Sequence, residues 1–116
     1  MDSKLKKARV AYCHEHGCLC FACGGAGGGE VHEILRGNAC RHNSVKVRSC
    51  WLLLCHSCHE LMGDYSIWSV EKQLCLKLLV DREFFDLEEV NSISVKKRDM
   101  DKILGYMKEV KYECGL

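Results

Sequence analysis

Apolar positions fall into distinct rhythms along the 116 residues. Residues 3–12 carry Leu5, Ala8 and Tyr12 three and four apart, the spacing of one side of a short helix, with basic residues between them. Residues 13–29 have no period and are mostly Cys, His and Gly, so they read as loop. Glu30 to Leu35 reads as a strand, 36–49 as a polar basic loop, and Trp51-Leu-Leu-Leu-Cys55 as a short buried strand. A helix is expected to start at or just after Cys58 and to stop near Met62, where Gly63 ends it.

The rest of the chain has helical rhythm. Ser66 or Ser69 can cap a helix reaching about Val80, with Leu74, Cys75, Leu78 and Leu79 spaced for burial. Asp86 can cap a short helix through Val90 or Ile93. Asp99 can cap a last one that aligns Met100, Ile103, Leu104, Met107 and Val110. The expectation is an α+β fold of one domain over residues 1–116. A small core over 13–64 would be covered by a helical extension over 65–116, comprising about three helices. Trp51 and Trp68 are expected in the core rather than as platforms for stacked bases.

Composition sharpens this picture through cysteine. Ten of the residues are Cys and none is Pro. The first residues are charged and have no apolar stretch of a secretory signal, so a reducing, cytoplasmic setting is expected, where thiols stay free. Reduced pairs of the form Cys-x-x-Cys favour zinc, whose tetrahedral edge suits two sulfurs about 3.5–4 Å apart on one tight turn. Cys20/Cys23 and Cys55/Cys58 supply two such edges, and the residues between them are enough for a hairpin. Cys75 reads as a core residue and Cys114 as a free thiol. Cys13-His14-Glu15-His16-Gly17-Cys18, with Cys40 or His42, could build a second zinc site. The competing reading, which is favoured, leaves Cys13, Cys18, Cys40 and Cys50 as unliganded thiols.

Charge adds a direction. Residues 1–59 hold eight Lys/Arg against four Asp/Glu, whereas 60–116 hold nine against twelve. No acid occurs between Glu33 and Glu60, and Lys4, Lys6, Lys7 and Arg9 form a second basic cluster. A positive cysteine-rich half suits a phosphate backbone, so DNA is the expected partner. No apolar run approaches the roughly 20 residues that cross a bilayer, so no membrane partner is expected.

The stretch Val31-His32-Glu33-Ile34, set between Cys20-Phe-Ala-Cys23 and Leu54-Cys55-His-Ser-Cys58-His59, resembles the HNH, or ββα-metal, nuclease family in its zinc-stapled treble-clef form. It is most similar to the small HNH-like proteins of phages and prophages. The resemblance covers about residues 13–64, and more loosely the helical tail around Gln73-Leu-Cys-Leu-Lys-Leu-Leu-Val80. It implies a metal-dependent DNA endonuclease with a structural Zn²⁺ on Cys20, Cys23, Cys55 and Cys58. It also implies a catalytic Mg²⁺ or Mn²⁺ on His32 and His59, with Arg36, Arg41 and Arg48 on flanking phosphates. Glu33 stands where most members carry the His that activates water. Alternatively His32 is the base, with Glu30 or Glu33 on the metal. Gly63 replaces a second helix His, with Asp64 beside it as a possible oxygen ligand, and the middle Asn has no counterpart near Ser49-Cys50-Trp51. Two further readings follow from these departures: a catalytically inactive zinc module that binds DNA or a protein, and, more weakly, a partner protein acting through its acidic helices.

Overall fold

The computed structural model describes residues 3–41 and 46–116. Its described elements are a two-stranded antiparallel sheet and six helices. β1 (Glu30–Glu33) pairs with β2 (Trp51–Leu54) in the register Glu30 to Leu54, Val31 to Leu53, His32 to Leu52 and Glu33 to Trp51. β1 stops two residues before the expected Leu35, although Ile34 N–H still donates to Cys50 O at 2.8 Å. Both Ile34 and Leu35 are fully buried.

Side chains alternate across a strand, so this ribbon has two working faces. On one, Glu33 meets Arg9 and Trp51 lies under the same guanidinium, both contacts coming from α1 (Ser3–Glu15). On the other, Glu30 and His32 meet α2 (His56–Met62) and α3 (Val70–Val80). Leu52, Leu53 and Leu54 are wholly buried between these layers, each worth about 1.5–3 kcal/mol of transfer free energy. Both tryptophans are buried, at 3 % exposure, and Cys75 lies in the core with them.

The capping chemistry accounts for the helix starts. Ser69, rather than Ser66, caps α3 by accepting from Lys72 N, while Ser66 joins a turn with Asp64. Asp86 caps α4 (Leu87–Ile93) and Asp99 caps α5 (Met100–Leu104). The single last helix expected from the apolar spacing is two, because the chain leaves helical geometry at Gly105-Tyr106 before α6 (Met107–Cys114). Glycine is a poor helix former, and Tyr106 sits at φ −91°, ψ 1°. Helix α2 begins two residues before Cys58, with Cys55 at its N-cap position. The polar loop is tied down by pairing with the end of α4, through Arg41 N to Ile93 O at 2.6 Å and Val95 N to Ala39 O at 3.0 Å. Among the described residues, no helix is long and apolar enough to cross a membrane.

One polar group lies in the middle of this core. Lys77, with no exposed surface, donates to Asp81 Oδ2 at 2.7 Å and to the Tyr12 hydroxyl at 2.9 Å. Tyr12 in turn donates to Asp81 Oδ2 at 2.6 Å. Burial pulls the Lys77 ammonium down to about 8 even though the Asp81 carboxylate opposes the shift. The triad fastens α1 to α3, and it is stable only as a complete set. Lys77→Met is therefore expected to lower unfolding free energy by about 3–5 kcal/mol in a urea titration of the zinc-loaded chain. Lys77→Met with Asp81→Leu should recover most of that loss; an equally large loss in the double variant would remove the ion pair as its cause.

Candidate metal centre and adjoining imidazole cleft

The first cysteine pair lies on a tight turn between α1 and β1. Cys20 N donates to Gly25 O at 2.9 Å, Gly24 N to Cys20 O at 2.8 Å, and Gly25 N to Cys23 Sγ at 3.4 Å. Gly24 adopts φ 72°, a left-handed conformation that glycine enters without strain. Gly28 closes the turn, donating to Cys18 O at 2.9 Å. A Cβ there would stand 2.6 Å from the Leu19 carbonyl carbon and 2.8 Å from Cys20 N. The turn is docked onto the sheet by Phe21 N, which donates to Leu53 O at 2.8 Å.

The second pair comes from the start of α2. The ligand atoms of Cys20, Cys23, Cys55 and Cys58 all lie within 4.8 Å of one another. The Cys23 and Cys55 sulfurs are 3.9 Å apart. With Zn–S bonds of about 2.3 Å, the tetrahedral edge is about 3.8 Å, so the set fits a structural zinc. Its local electrostatics fit as well. Burial pushes the Cys20 thiol up, but backbone N–H groups of Cys23, Cys55 and Ala22 donate to the sulfur and bring it down to about 7. Burial raises the Cys58 thiol.

The remaining cysteines do not gather. Among the described residues the four-cysteine cluster is the one group of three or more metal-type ligands at this spacing. Cys13 donates instead to Gly28 O at 3.7 Å, and burial raises the Cys50 thiol to about 12. His42 and Asn43 lie outside the described residues.

Beside the cysteines, β1 and α2 bring two imidazoles together. The His32 and His59 ring centroids are 5.0 Å apart, inclined at 75°. His32 is completely buried, and its Nε2 lies 2.7 Å from Gln73 Oε1. The Gln73 amide nitrogen donates to Met62 O at 3.0 Å and Trp68 O at 2.8 Å. With both amide protons taken, Gln73 Oε1 is the acceptor and His32 Nε2 carries the proton. Burial holds the His32 imidazole neutral, pulling it down to about 4. Its Nδ1 is then a bare lone pair, buried and without a hydrogen-bond partner. His59, whose side chain is 31 % exposed, has its Nδ1 facing Glu30 Oε2 at 3.2 Å. Glu30 also takes His56 Nδ1 at 3.2 Å.

The other expected site residues lie elsewhere. Glu33 turns to the opposite face of the strand, 3.2 Å from Arg9. Asp64 accepts from Ser66 N and Oγ at 3.1 and 2.6 Å and does not join the two imidazoles. Arg36 stays near the cleft, with its guanidinium 5.6 Å from the Tyr65 ring and Nη2 3.7 Å from the place a Gly63 Cβ would take. Arg41 donates to Val95 O at 3.4 Å. Arg48 is folded inward, paired with Glu15 and 3.5 Å above the centre of the Phe84 ring. Two groups that frame the cleft were not singled out from sequence. Gln73 was the findable one, since an amide inside Leu- and Val-rich helix spacing must be satisfied when buried. Tyr65 ties the end of α2 to β1 by donating to Ile34 O at 2.7 Å.

Comparison of the chain with protein-family models, with curated proteins and with solved structures finds no match.

Elemental analysis of the purified chain is expected to give one zinc per molecule. Stripping it with a chelator, or Cys20→Ser, removes a binding free energy of about 10–16 kcal/mol. That exceeds the stability of most domains of this size, so circular dichroism should show loss of cooperative unfolding. Full stability in the metal-stripped chain would rule out a structural ion here.

Proposed function

We propose that the chain is a zinc-stapled, treble-clef module of HNH type that hydrolyses phosphodiester bonds in DNA at the His32–His59 cleft. The observation that carries this reading is the His32 tautomer. A buried imidazole whose N–H is fixed by an amide oxygen, and whose other nitrogen is an unpartnered lone pair, has the electronic arrangement of a metal ligand with its outer partner in place. On α2, His59 has Glu30 as the partner of its Nδ1.

His32 Nδ1 and His59 Nε2 are the nitrogens that would hold a divalent ion such as Mg²⁺ or Mn²⁺. When bound, such an ion supplies Lewis-acid polarisation of a phosphoryl oxygen and a water acidified enough to attack. The chain's own residues do the rest. Gln73 and Glu30 hold the two rings in orientation, and the packed core behind His32 keeps water from its far side. Arg36 offers a planar cationic fork at the mouth of the cleft, suited to a phosphate oxygen pair. Glu30 is the carboxylate beside the imidazoles, and Glu33, on the other face of β1, is assigned no proton transfer in this reading.

A second reading has its own observation. The Arg36 guanidinium beside Gly63 places a positive charge where a further metal ligand would help a cation bind. A cleft of that charge would hold phosphate without cutting it, as an inactive nucleic-acid-binding zinc module.

Plasmid nicking by the zinc-loaded chain with Mg²⁺ or Mn²⁺ separates the two. Hydrolysis predicts metal-dependent nicking that falls at least 100-fold in His32→Ala and in His59→Ala. Gln73→Leu should weaken divalent-ion affinity about 10–100-fold, read as a rise in the metal concentration giving half-maximal rate. DNA binding without nicking across these ions, by a chain with full zinc content, would leave only the second reading.

A further inference from the structure

We infer that the exposed lysine row of α1, together with Lys46, is a docking surface for a nucleic-acid backbone, on the face of the sheet opposite the imidazole cleft. Helix α1 spends its inward side on the sheet: Tyr12 is fully buried and Leu5 and Arg9 are partly so, whereas Lys4, Lys6 and Lys7 are exposed. Residues 3–14 contain four Lys/Arg and no acid. Two acids close to α1 are matched, Glu15 at its end by Arg48 and Glu33 of β1 by Arg9. The three lysines therefore keep their field.

They also face concave surface. Ser3, Lys4, Leu5, Ala8, Lys46 and Trp51 line a cleft of about 590 Å³, which sets a lysine from the 36–49 loop across from the helix. Lys6 lines a second depression, next to Arg9, Val10 and Val31. Cationic side chains along low-dielectric walls concentrate a potential that attracts phosphates.

This surface takes over the role that sequence assigned to the loop arginines. Arg48 is folded against Phe84 and Glu15, and Arg41 is engaged with the Val95 carbonyl. A lipid surface suits α1 poorly, because Val10 is the one large apolar side chain it exposes, at 52 %, beside only the small Ala8 and Ala11. A protein partner would be expected to meet an aromatic or arginine anchor, and here Trp51 is buried and Arg9 is paired. A phosphodiester backbone asks only for spaced positive charge. The choice of nucleic acid rests on the function proposed above, but the surface does not need the cleft or any cleavage.

The test is fluorescence anisotropy of the zinc-loaded full chain with a labelled duplex of about 30 base pairs, from about 50 to about 300 mM NaCl, without divalent ions. Parallel arms use double-stranded RNA, single-stranded DNA and vesicles rich in phosphatidylserine. The expected result is salt-sensitive binding that weakens at least tenfold in Lys4→Glu/Lys6→Glu/Lys7→Glu. The slope of log affinity against log salt should shrink by about three. The Gln triple should show the same change of slope with a smaller loss, which guards against misfolding of the charge-reversed protein. Binding within twofold in both triple variants, loss in Arg36→Ala instead, or capture by vesicles and no nucleic acid would each overturn the inference. Intact docking with no nicking would count against hydrolysis alone, whereas nicking with undiminished binding in the triple variants would count against this surface alone.

Discussion

Four sulfurs from two distant parts of the chain have to reach one point, and most of the small half follows from that requirement. The turn carrying Cys20 and Cys23 is stitched to the sheet through Phe21 N and Leu53 O, and α2 begins at the second pair. The ribbon between them has only two strands of four residues each. Such a hairpin is marginal in water by itself. A metal held by the four sulfurs would supply a constraint that the hairpin cannot, and would fix the angle between β1 and α2. That angle is what sets His32 against His59 at 5.0 Å.

A second constraint works from the helical half. Four polar groups with no or almost no exposed surface, Lys72, Gln73, Lys77 and Asp81, lie on or just after α3. Gln73 orders the cleft by consuming Met62 O, Trp68 O and His32 Nε2 at once. Lys77 and Asp81 reach the other way, through the sheet layer to Tyr12 of α1. Buried polar groups cost several kcal/mol when unmatched, so a fold that seats four on or beside one helix is specified rather tightly. The helical extension is therefore more than a lid: it sets the proton on one imidazole and anchors the basic helix.

Charge is distributed to match these two faces. The cleft face carries Glu30, His56 and His59, with Arg36 at its mouth. The α1 face carries exposed lysines, its arginine being internally neutralised. A sheet of alternating side chains separates the chemistry of one face from the electrostatics of the other, since neighbouring residues such as His32 and Glu33 must point apart.

That separation marks what could be learned from sequence and what could not. The two Cys-x-x-Cys pairs, the strand between them and the caps at Ser69, Asp86 and Asp99 were legible because each is a local pattern with a local cause. The break at Gly105-Tyr106 was obscured because the apolar spacing continues across it while the backbone does not. Adjacent letters also suggested that His32 and Glu33 act together, and that the arginines of the loop all face outward. Only tertiary structure decides such matters, because the face on which a side chain lands depends on strand pairing. Whether a charge remains free depends on which distant acid the packing brings to it, as Glu15 meets Arg48 and Arg9 meets Glu33. The sequence by itself determined the cysteine cluster and the helical caps; packing determined the His32 tautomer, since the glutamine that imposes it lies 41 residues away on α3.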